Sequence, residues 1–321
     1  MSQNNSNDVK SNEVGLIPFE VLEVVSEVSE IPEGVKFINA PAVWEKSEKG
    51  KDIVVAVLDT GCQTDHVDLK DRIIGGKNFT TDNDSDPDNY SDLNGHGTHV
   101  AGTIAATENN KGVLGVAPQA KLLIVKVLGG PNGSGAYEWI INGINYAVNW
   151  RGPNGEKVRV ISMSLGGPQD VPELHQAVKN AVNNDVLVVC AAGNGGDNNS
   201  NTDEFDYPGS YQEVVEVGAV GFNKKIAPFS DSNKNVDLVG PGVGILSTYK
   251  GGGYATLSGT SMATPHISGG SALIIKLCES KQQFDRTLSE DEIYAQLIKR
   301  TTALADSKRL VGNGLLDLAK E

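Results

Sequence analysis

Three residues that together could perform nucleophilic catalysis each stand beside glycine at the end of a predicted element. Asp59 ends an apolar run in AVLDTG, His96 lies between two glycines in NGHGTHVAGT, and Ser261 precedes an apolar run in GTSMATPHISG. In a Ser–His–Asp triad the hydroxyl attacks a carbonyl carbon, the imidazole transfers the proton, and the carboxylate orients the imidazole. The sequence therefore predicts such a triad, in the chain order Asp, His, Ser.

Each of the three residues also has an ordinary structural interpretation. An aspartate before glycine can simply form a turn, a histidine near a helix start can cap it or face solvent, and serine is a preferred N-cap. His96 and His99 could instead form a metal pair, as in a zinc hydrolase, but no glutamate lies between them and no third ligand is evident. A catalytically silent peptide-binding scaffold and an esterase are further alternatives, although the esterase signature G-x-S-x-G is absent around Ser261.

The elements that would position these residues alternate along the chain. β-branched apolar runs predict buried strands, and amphipathic stretches between them predict helices. This alternation predicts an α/β fold, a three-layer αβα sandwich with a mostly parallel central sheet, in which ligands bind beyond the carboxyl ends of the strands. The predicted strands are 53–58, 122–127, 158–163, 186–190, 214–220 and 236–239. The predicted helices are 96–106, 136–150, 172–184, 262–277 and 289–300.

Composition argues against several classes of partner. Among 321 residues, 27 Lys and Arg stand against 41 Asp and Glu, a net charge of −14. We therefore expect no nucleic acid and no membrane partner, because nucleic acid and anionic membranes both attract basic surfaces. No run approaches the roughly 18 apolar residues of a membrane span. Three cysteines without regular spacing, and a polar N-terminus without a signal-peptide core, predict free thiols and a cytoplasmic protein.

Together the motifs resemble those of the subtilases, the subtilisin-like serine proteases. AVLDTG, NGHGTHVAGT and GTSMATPHISG match the Asp, His and Ser motifs of that family, and VVCAAGN matches a fourth. The resemblance covers about residues 31 to 277. It implies a subtilisin-like endopeptidase in which Ser261 is the nucleophile, His96 the general base and acid, and Asp59 the residue that orients the histidine. It also implies that Asn194 donates to the oxyanion that develops in the transition state.

The resemblance further implies a cleft in which protein or peptide substrates bind as an extended strand between two edges. The stretches SLGG and GSG resemble these edges, and the residues before Asn194 resemble a wall of the pocket for P1, the substrate residue before the scissile bond. The chain departs from the better-known secreted members at DEFDYPGS, which places Asp206 at the pocket floor with Glu204 nearby. We expect this pocket to accept basic or polar P1 side chains, unless the carboxylate faces solvent. The implied substrate-binding residues are Gly133, Ser134, Gly135, Ser164, Leu165, Gly166, Gly167, Ala191, Ala192, Gly193 and Asp206.

Two calcium sites are also implied by the resemblance, one tight and one weaker. Calcium prefers the hard oxygens of carboxylates, amides and backbone carbonyls. The tight site is implied at Asp68, Thr107, Asn109, Lys111 and Val113. The weaker cation site is implied at Gly209, Tyr211, Val214 and Asp237. The glutamine that the family adds from its mature N-terminus has no clear counterpart before Pro32, and Asp237 could equally be an ordinary surface residue.

The N-terminal region resembles the short inhibitory extension of bacterial intracellular subtilisins. Leu16, Ile17, Pro18 and Phe19 match the Leu-Ile-Pro-aromatic motif of that subfamily, although Leu16 and Phe19 could also cover an apolar patch. An extended segment can occupy the cleft as a strand, and Pro18 bends it so that the scissile carbonyl misses Ser261. The resemblance thus implies a precursor activated by cleavage within residues 16–30, and a homodimer. We assign 1–30 to the extension, 31–300 to the catalytic domain and 301–321 to a C-terminal tail.

Overall fold

The computed structural model describes residues 13–321, so residues 1–12 of the expected extension lie outside the described part. The strands are β1 (Glu13–Leu16), β2 (Glu20–Val25), β3 (Ser29–Glu30), β4 (Val54–Asp59), β5 (Ile73–Asn78), β6 (Gly112–Val113), β7 (Lys121–Lys126), β8 (Ser134–Ala136), β9 (Val158–Met163), β10 (Leu165–Gly166), β11 (Leu187–Ala191), β12 (Val215–Val220), β13 (Val236–Pro241), β14 (Ile245–Thr248), β15 (Tyr254–Ser258), β16 (Thr301–Thr302) and β17 (Leu315–Leu316). The α-helices are α1 (Glu33–Phe37), α2 (His96–Ala105), α3 (Tyr137–Asn149), α4 (Pro172–Val182), α5 (Thr260–Cys278), α6 (Glu290–Lys299) and α7 (Lys308–Val311).

A nine-stranded central sheet carries the fold, in the order β16-β17-β13-β12-β11-β9-β4-β7-β5. Neighbouring strands in this sheet are parallel, except for β16 and β17, which are antiparallel. Helices α2 and α5 pack against one face, and α3 and α4 against the other. This arrangement confirms the predicted α/β sandwich with a mostly parallel central sheet.

Successive residues of the central strands fill opposite faces of the sheet. In β4, Val55 and Val57 pack in the cluster that contains α2 and α5, whereas Val54 and Ala56 pack with α3 and α4. Because a parallel strand covered by helices is buried on both faces, it consists of a continuous apolar run. This property makes the strands recognisable in the sequence. The six strands and five helices expected from the sequence are all found, with ends shifted by at most two residues.

Helix α5 begins two residues before its predicted start and contains Pro265. Proline has no amide hydrogen, so the carbonyl of Ser261, four residues earlier, loses its partner within the helix. That carbonyl instead accepts a hydrogen bond from Ser164 Oγ at 2.9 Å. The contact ties the first turn of α5 to the chain between β9 and β10.

Residues 301–321 were expected to form a separate tail, but two of their short segments join the central sheet. Strand β17 pairs with β13 and with β16, which places β16 at one edge of the sheet. Leu315 and Leu316 are buried in the clusters around that edge. The last stretch of the chain is therefore packed onto the catalytic unit. Within residues 13–321, no helix combines the length and the apolar character that a membrane span needs.

A buried glutamate lies in the central sheet, where the sequence pattern predicts only apolar residues. Oε1 of Glu216, in β12, accepts hydrogen bonds from Ser210 Oγ at 3.1 Å and from Asn233 Nδ2 at 2.9 Å. Oε2 is buried and has no hydrogen-bond partner in the described part of the chain. Burial raises the pKa of Glu216, and the two hydrogen bonds lower it by a smaller amount. The resulting pKa is about 8.

Replacing Glu216 with glutamine is expected to stabilise the protein at alkaline pH. The pKa of glutamate is about 4.3 in an unfolded chain. Between that pH and about 8, Glu216 is protonated in the folded protein and ionised in the unfolded chain. The free energy of unfolding therefore falls as the pH rises through this range. Glutamine keeps both contacts at Oε1 and cannot ionise. In a Ser261→Ala background, urea unfolding from pH 5 to 9 should show the variant gaining up to about 1.4 kcal/mol per pH unit over its parent. A difference that does not change with pH would contradict this expectation.

Candidate active site

Asp59 and His96 meet at the carboxyl end of the central sheet. Asp59 ends β4, His96 begins α2, and both side chains are buried. Asp59 Oδ1 lies 2.8 Å from His96 Nδ1 and also accepts the Thr60 amide at 2.7 Å. The carboxylate thus holds one ring nitrogen and leaves Nε2 for a reacting group. This is the Asp–His contact that a triad requires.

The start of α2 is held by Asp92, which the sequence reasoning did not single out. Its Oδ2 accepts hydrogen bonds from the amide and the hydroxyl of Thr98, and its Oδ1 accepts the Gly95 amide at 2.8 Å. These bonds satisfy amides that a helix N-terminus leaves without partners. Gly95 has φ of 109°, a left-handed conformation that favours glycine. The only sequence signal for Asp92 is an aspartate shortly before a helix start.

Ser261 is buried in the first turn of α5, and its hydroxyl is not bonded to His96. Ser261 Oγ donates to the carbonyl of Ser164 at 3.3 Å. Nε2 of His96 is buried and has no hydrogen-bond partner among residues 13–321. Catalytic hydrogen bonds are often loose until a substrate is bound. The structure therefore shows the contact between Asp59 and His96. The other contact of the predicted triad, between His96 and Ser261, is not formed among the described residues.

The side-chain amide of Asn194 is oriented by the residue that precedes Ser261. Asn194 Oδ1 accepts the Thr260 amide at 2.9 Å and the Thr260 hydroxyl at 2.8 Å. The Nδ2 group is therefore the free donor, and it donates to the carbonyl of Pro18 at 2.6 Å. Sequence reasoning identified Asn194 but missed Thr260, because the contact between them spans 66 residues of chain.

The two edges expected to bind a substrate flank a strand of this chain itself. Strand β1 lies between β8 and β10 and is antiparallel to both. Gly15 pairs with Gly166 on one side and with Ser134 on the other, and Leu16 pairs with Leu165. The amide of Leu16 also donates to the Gly133 carbonyl at 2.9 Å. The GSG and SLGG stretches thus pair with a strand of the chain itself, and their binding of a substrate stays a prediction.

The segment after β1 crosses the catalytic residues. Ile17 is buried with 2% of its surface exposed, and the carbonyl of Pro18 contacts Asn194 as described. The Phe19 ring lies 4.8 Å from the imidazole of His96, centroid to centroid. The chain then continues as β2, which pairs with β15. Residues 13–25 therefore run from the edges of β8 and β10, past Asn194 and His96, to the edge of β15.

Asp206 lies between the two walls expected for the P1 pocket. A β-carbon built on Gly166 would stand 3.4 Å from Asp206 Oδ2, and one built on Gly193 would stand 2.9 Å from the same oxygen. Gly167 pairs with Tyr207, which fixes the loop carrying Asp206 against that wall. The other wall continues the buried strand β11 through Ala191 and Ala192. Burial raises the pKa of Asp206.

The residues expected to bind calcium tightly surround one buried carboxylate. Asp68 Oδ1 accepts Asn109 Nδ2 at 2.8 Å, and Oδ2 accepts the Val113 amide at 3.1 Å. The Thr107 amide donates to the Asp68 carbonyl, and the Lys111 amide donates to Asn109 Oδ1. Asp68 forms no ion pair within residues 13–321 although it is fully buried. Both carboxylate oxygens of Asp68 thus accept N–H donors, and calcium binding by Asp68 and the neighbouring carbonyls stays a prediction.

The residues of the weaker cation site have other partners. Asp237 Oδ1 accepts the hydroxyl of Tyr294 at 2.6 Å, and Oδ2 accepts the Glu216 amide at 2.8 Å. Burial raises the pKa of Asp237 to about 6. Of the expected carbonyl ligands Gly209, Tyr211 and Val214, that of Tyr211 accepts the Val214 amide at 3.1 Å. These contacts do not favour a second cation site.

His99 has the contacts of a structural histidine. Its Nε2 lies 3.0 Å from the carbonyl of Ile245 and 3.1 Å from that of Ala255. Nε2 must therefore carry a proton and cannot offer a lone pair to a metal. Burial lowers the pKa of His99 to about 3, so the ring is neutral. The arrangement does not support the alternative of a zinc pair with His96.

Comparison with known proteins agrees with the site geometry. A family model described as the subtilase family matches residues 50–314. An intracellular serine protease of Paenibacillus polymyxa is 59% identical over 305 residues, which cover 95% of this chain and 90% of the relative. The major intracellular serine protease of Bacillus subtilis strain 168 is 59% identical over 308 residues, covering 96% and 94%. Subtilisin DY of Bacillus licheniformis is 42% identical over 288 residues, covering 90% and 97%. The chain belongs to the subtilase family.

Proposed function

We propose that this chain is a calcium-dependent intracellular serine endopeptidase, made as a precursor that its own N-terminal segment restrains. The observation that carries the proposal is the paired Asp59 and His96 beside Ser261 and Asn194, with an extended segment lying across them between two strand edges. The relatives named as intracellular serine proteases support the same reaction and location.

In the proposed reaction Ser261 Oγ attacks the carbonyl carbon of the scissile peptide bond. His96 Nε2 takes the hydroxyl proton and then gives it to the leaving amine, while Asp59 holds the ring through Nδ1 and stabilises its charged form. Asn194 Nδ2 and the backbone amide of Ser261 donate to the developing oxyanion. Water then attacks the acyl group by the same route and releases the second product. The unpartnered Nε2 of His96 supports this assignment, because it leaves that nitrogen available for the proton.

The N-terminal segment restrains the enzyme by placing the Pro18 carbonyl against the proposed oxyanion donor, Asn194. Asn194 donates to the carbonyl of Pro18, and Ser261 Oγ donates to Ser164 instead of His96. Ile17 is buried, and the Phe19 ring packs against the imidazole of His96. A segment held in this way occupies the cleft without presenting a carbonyl to an activated hydroxyl. Its removal would open the cleft to substrates.

A calcium ion held by Asp68, Asn109 and the neighbouring backbone carbonyls would neutralise a buried carboxylate and stabilise the loop around them. Strand β3, which follows the inhibitory segment, pairs with β6 in that same loop. The homodimer implied by the family resemblance is part of the proposal, and sedimentation velocity would test it.

The experiment follows hydrolysis of denatured casein by the full-length chain over hours, with calcium or with a chelator. We expect a lag with calcium, loss of an N-terminal piece by mass spectrometry, and then a steady rate. With the chelator we expect thermal unfolding at a lower temperature and little hydrolysis. An intact N-terminus and no hydrolysis under either condition would favour the silent peptide-binding scaffold instead. An active chain whose activity and unfolding temperature ignore calcium would overturn the metal assignment alone.

A further inference from the structure

The largest fully buried side chain of the described chain is that of a lysine at the carboxyl end of the central sheet. Lys126 is the last residue of β7 and has 1% of its surface exposed. Its Nζ donates to the Thr60 carbonyl at 2.6 Å and lies 3.0 Å from Asp82 Oδ2. An ammonium group loses its hydration when it is buried, so it needs such partners. Lys126 therefore bridges the turn after β4 and the loop after β5.

On one side of this bridge, Thr60 connects the strand that carries Asp59 with the helix that begins at His96. The Thr60 amide donates to Asp59 Oδ1 at 2.7 Å. The Thr60 hydroxyl donates to Asp92 Oδ1 at 2.9 Å and accepts the Gly97 amide at 2.9 Å. The turn that Lys126 holds is therefore part of the support of the proposed catalytic pair.

On the other side of the bridge, Asp82 holds the loop that leads into one of the two edges expected to bind a substrate. The two oxygens of Asp82 accept the Gly130 amide at 3.0 and 3.1 Å. Gly130 lies in a tight loop that two hydrogen bonds between Gly129 and Ser134 close. Strand β8 begins with Ser134 and pairs with β1. Asp82 thus fixes the start of the β8 edge.

The other edge is tied to the site by a different contact. Ser164, which directly precedes β10, donates through its hydroxyl to the carbonyl of Ser261 at 2.9 Å. One edge is therefore held to the helix of the proposed nucleophile, and the other edge is held through Lys126 to the turn beside Asp59. A peptide bound between the two edges is aligned with the reacting groups only if both contacts keep their positions.

We propose that Lys126 is a positioning residue, which acts through Asp82 to set the β8 edge relative to Asp59 and His96. The proposal rests on the proposed endopeptidase function and adds to it a residue for the alignment of extended substrates. The backbone of β7 does not need this side chain to stay against β4, because the amides of residues 127 and 128 donate to the Asp59 carbonyl at 3.0 and 3.2 Å. We therefore expect Lys126→Met to fold.

The first test uses the processed enzyme and two thiobenzyl esters with lysine at P1. One is acetyl-lysine thiobenzyl ester, and the other carries three alanines before the lysine. In the chain's own segment, β8 and the Gly133 carbonyl contact residues 13–16, which lie two or more residues before Pro18. By this geometry only the longer ester reaches the β8 edge.

We expect Lys126→Met to lower kcat/KM for the longer ester about tenfold or more, the value of a charged hydrogen bond. Most of the change should be a higher KM, because the edge contributes to substrate binding. The value for the short ester should stay within about twofold. Lys121→Met, at the other end of β7, is the matched control and should change neither value by more than about twofold.

A double variant separates positioning from stability. Lys126→Met leaves Asp82 without its cation, and adding Asp82→Asn removes that unpaired charge. The double variant should unfold at a higher temperature than Lys126→Met, whereas the longer ester should stay slow because the bridge to Thr60 is still missing. Recovery of both properties together would show that the loss came from instability and would overturn the proposal.

The outcomes for the esters distinguish the two proposals. A loss shared equally by both esters would overturn positioning of the β8 edge and leave the endopeptidase intact. Unchanged values for both esters in Lys126→Met would do the same. If wild type hydrolyses neither ester, nor casein, the proposed function fails, and the second test then decides whether Lys126 holds the edge.

That second test does not depend on activity and measures amide hydrogen exchange in the full chain with Ser261→Ala. Adding Lys126→Met should speed exchange in residues 129–136 about tenfold. Exchange in residues 164–167, on the other edge, should stay within about twofold, because Ser164 holds that edge. Faster exchange at both edges alike, or at neither, would contradict the proposal.

Discussion

Replacing Ser261 with alanine is expected to lower kcat about a million-fold, the size of the loss known for the triad serine of subtilisin itself. The substitution removes the only proposed nucleophile and leaves the oxyanion donors and the cleft in place. Ser261 Oγ makes a single 3.3 Å hydrogen bond, to the Ser164 carbonyl, so we expect the fold to persist. The full-length variant should also keep its N-terminus, because the proposed self-processing needs the same hydroxyl. Hydrolysis of casein and mass spectrometry of the chain measure both effects.

The matched control is Ser271→Ala on the same helix. Ser271 is also buried, and its hydroxyl donates to the Ile267 carbonyl of the preceding turn at 2.9 Å. This variant should keep activity within about twofold, so a shared loss would point to damage of α5 instead of loss of a nucleophile. Substantial residual hydrolysis by Ser261→Ala, after removal of any contaminating protease, would contradict the assignment of the nucleophile.

Removing residues 1–19 is expected to raise the initial rate of peptide hydrolysis about 100-fold over the full-length chain. A tethered segment experiences an effective concentration of about 1 mM near its site. If the segment alone binds with a Kd of about 10 μM, about one chain in a hundred is open. The deletion removes β1, Pro18 and Phe19 but keeps β2, which continues to pair with β15. Stopped-flow hydrolysis of a chromogenic peptide, before any processing, gives the initial rates.

Deleting only residues 1–12 is the control, because β1 and the following residues that contact the cleft then remain. This chain should start as slowly as the full-length chain. A synthetic peptide with the sequence of residues 13–19 should inhibit the 1–19 deletion competitively, because residues 20–25 of that chain still occupy the edge of β15. Equal initial rates for the two deletions would contradict a restraint by the segment that crosses Ser261.

The candidate catalytic residues could be singled out from the sequence because their signals are local. Asp59, His96 and Ser261 each stand beside glycine at the end of an element, where a few neighbouring residues determine how the backbone turns. Apolar strand runs are equally local, since a strand that is buried on both faces consists mainly of apolar residues. Helix α5 begins two residues before the predicted start at 262, and the prediction already included Pro265, which normally opposes a helix. The helix tolerates Pro265 because Ser164, which is distant in sequence, donates a hydrogen bond to the Ser261 carbonyl that the proline leaves without a partner.

The N-terminal motif was also readable, but its contacts were not. The Leu-Ile-Pro-Phe resemblance predicted a segment in the cleft, whereas only the folded chain shows that Asn194 contacts the carbonyl of Pro18 and that Ser261 turns to Ser164. The pairing of residues 301–321 with the central sheet was not readable for a related reason. Strands of two residues, such as β16 and β17, have no periodicity of their own and exist only because β13 offers an edge.

The sequence by itself determined the fold class and singled out Asp59, His96, Ser261 and Asn194 as candidates, since each depends on residue types within a short stretch. The tertiary structure alone decided how Thr260 orients Asn194 and where the last strands lie. The physical reason is that such contacts join loops far apart in sequence, and their energies depend on burial, which a linear pattern does not encode.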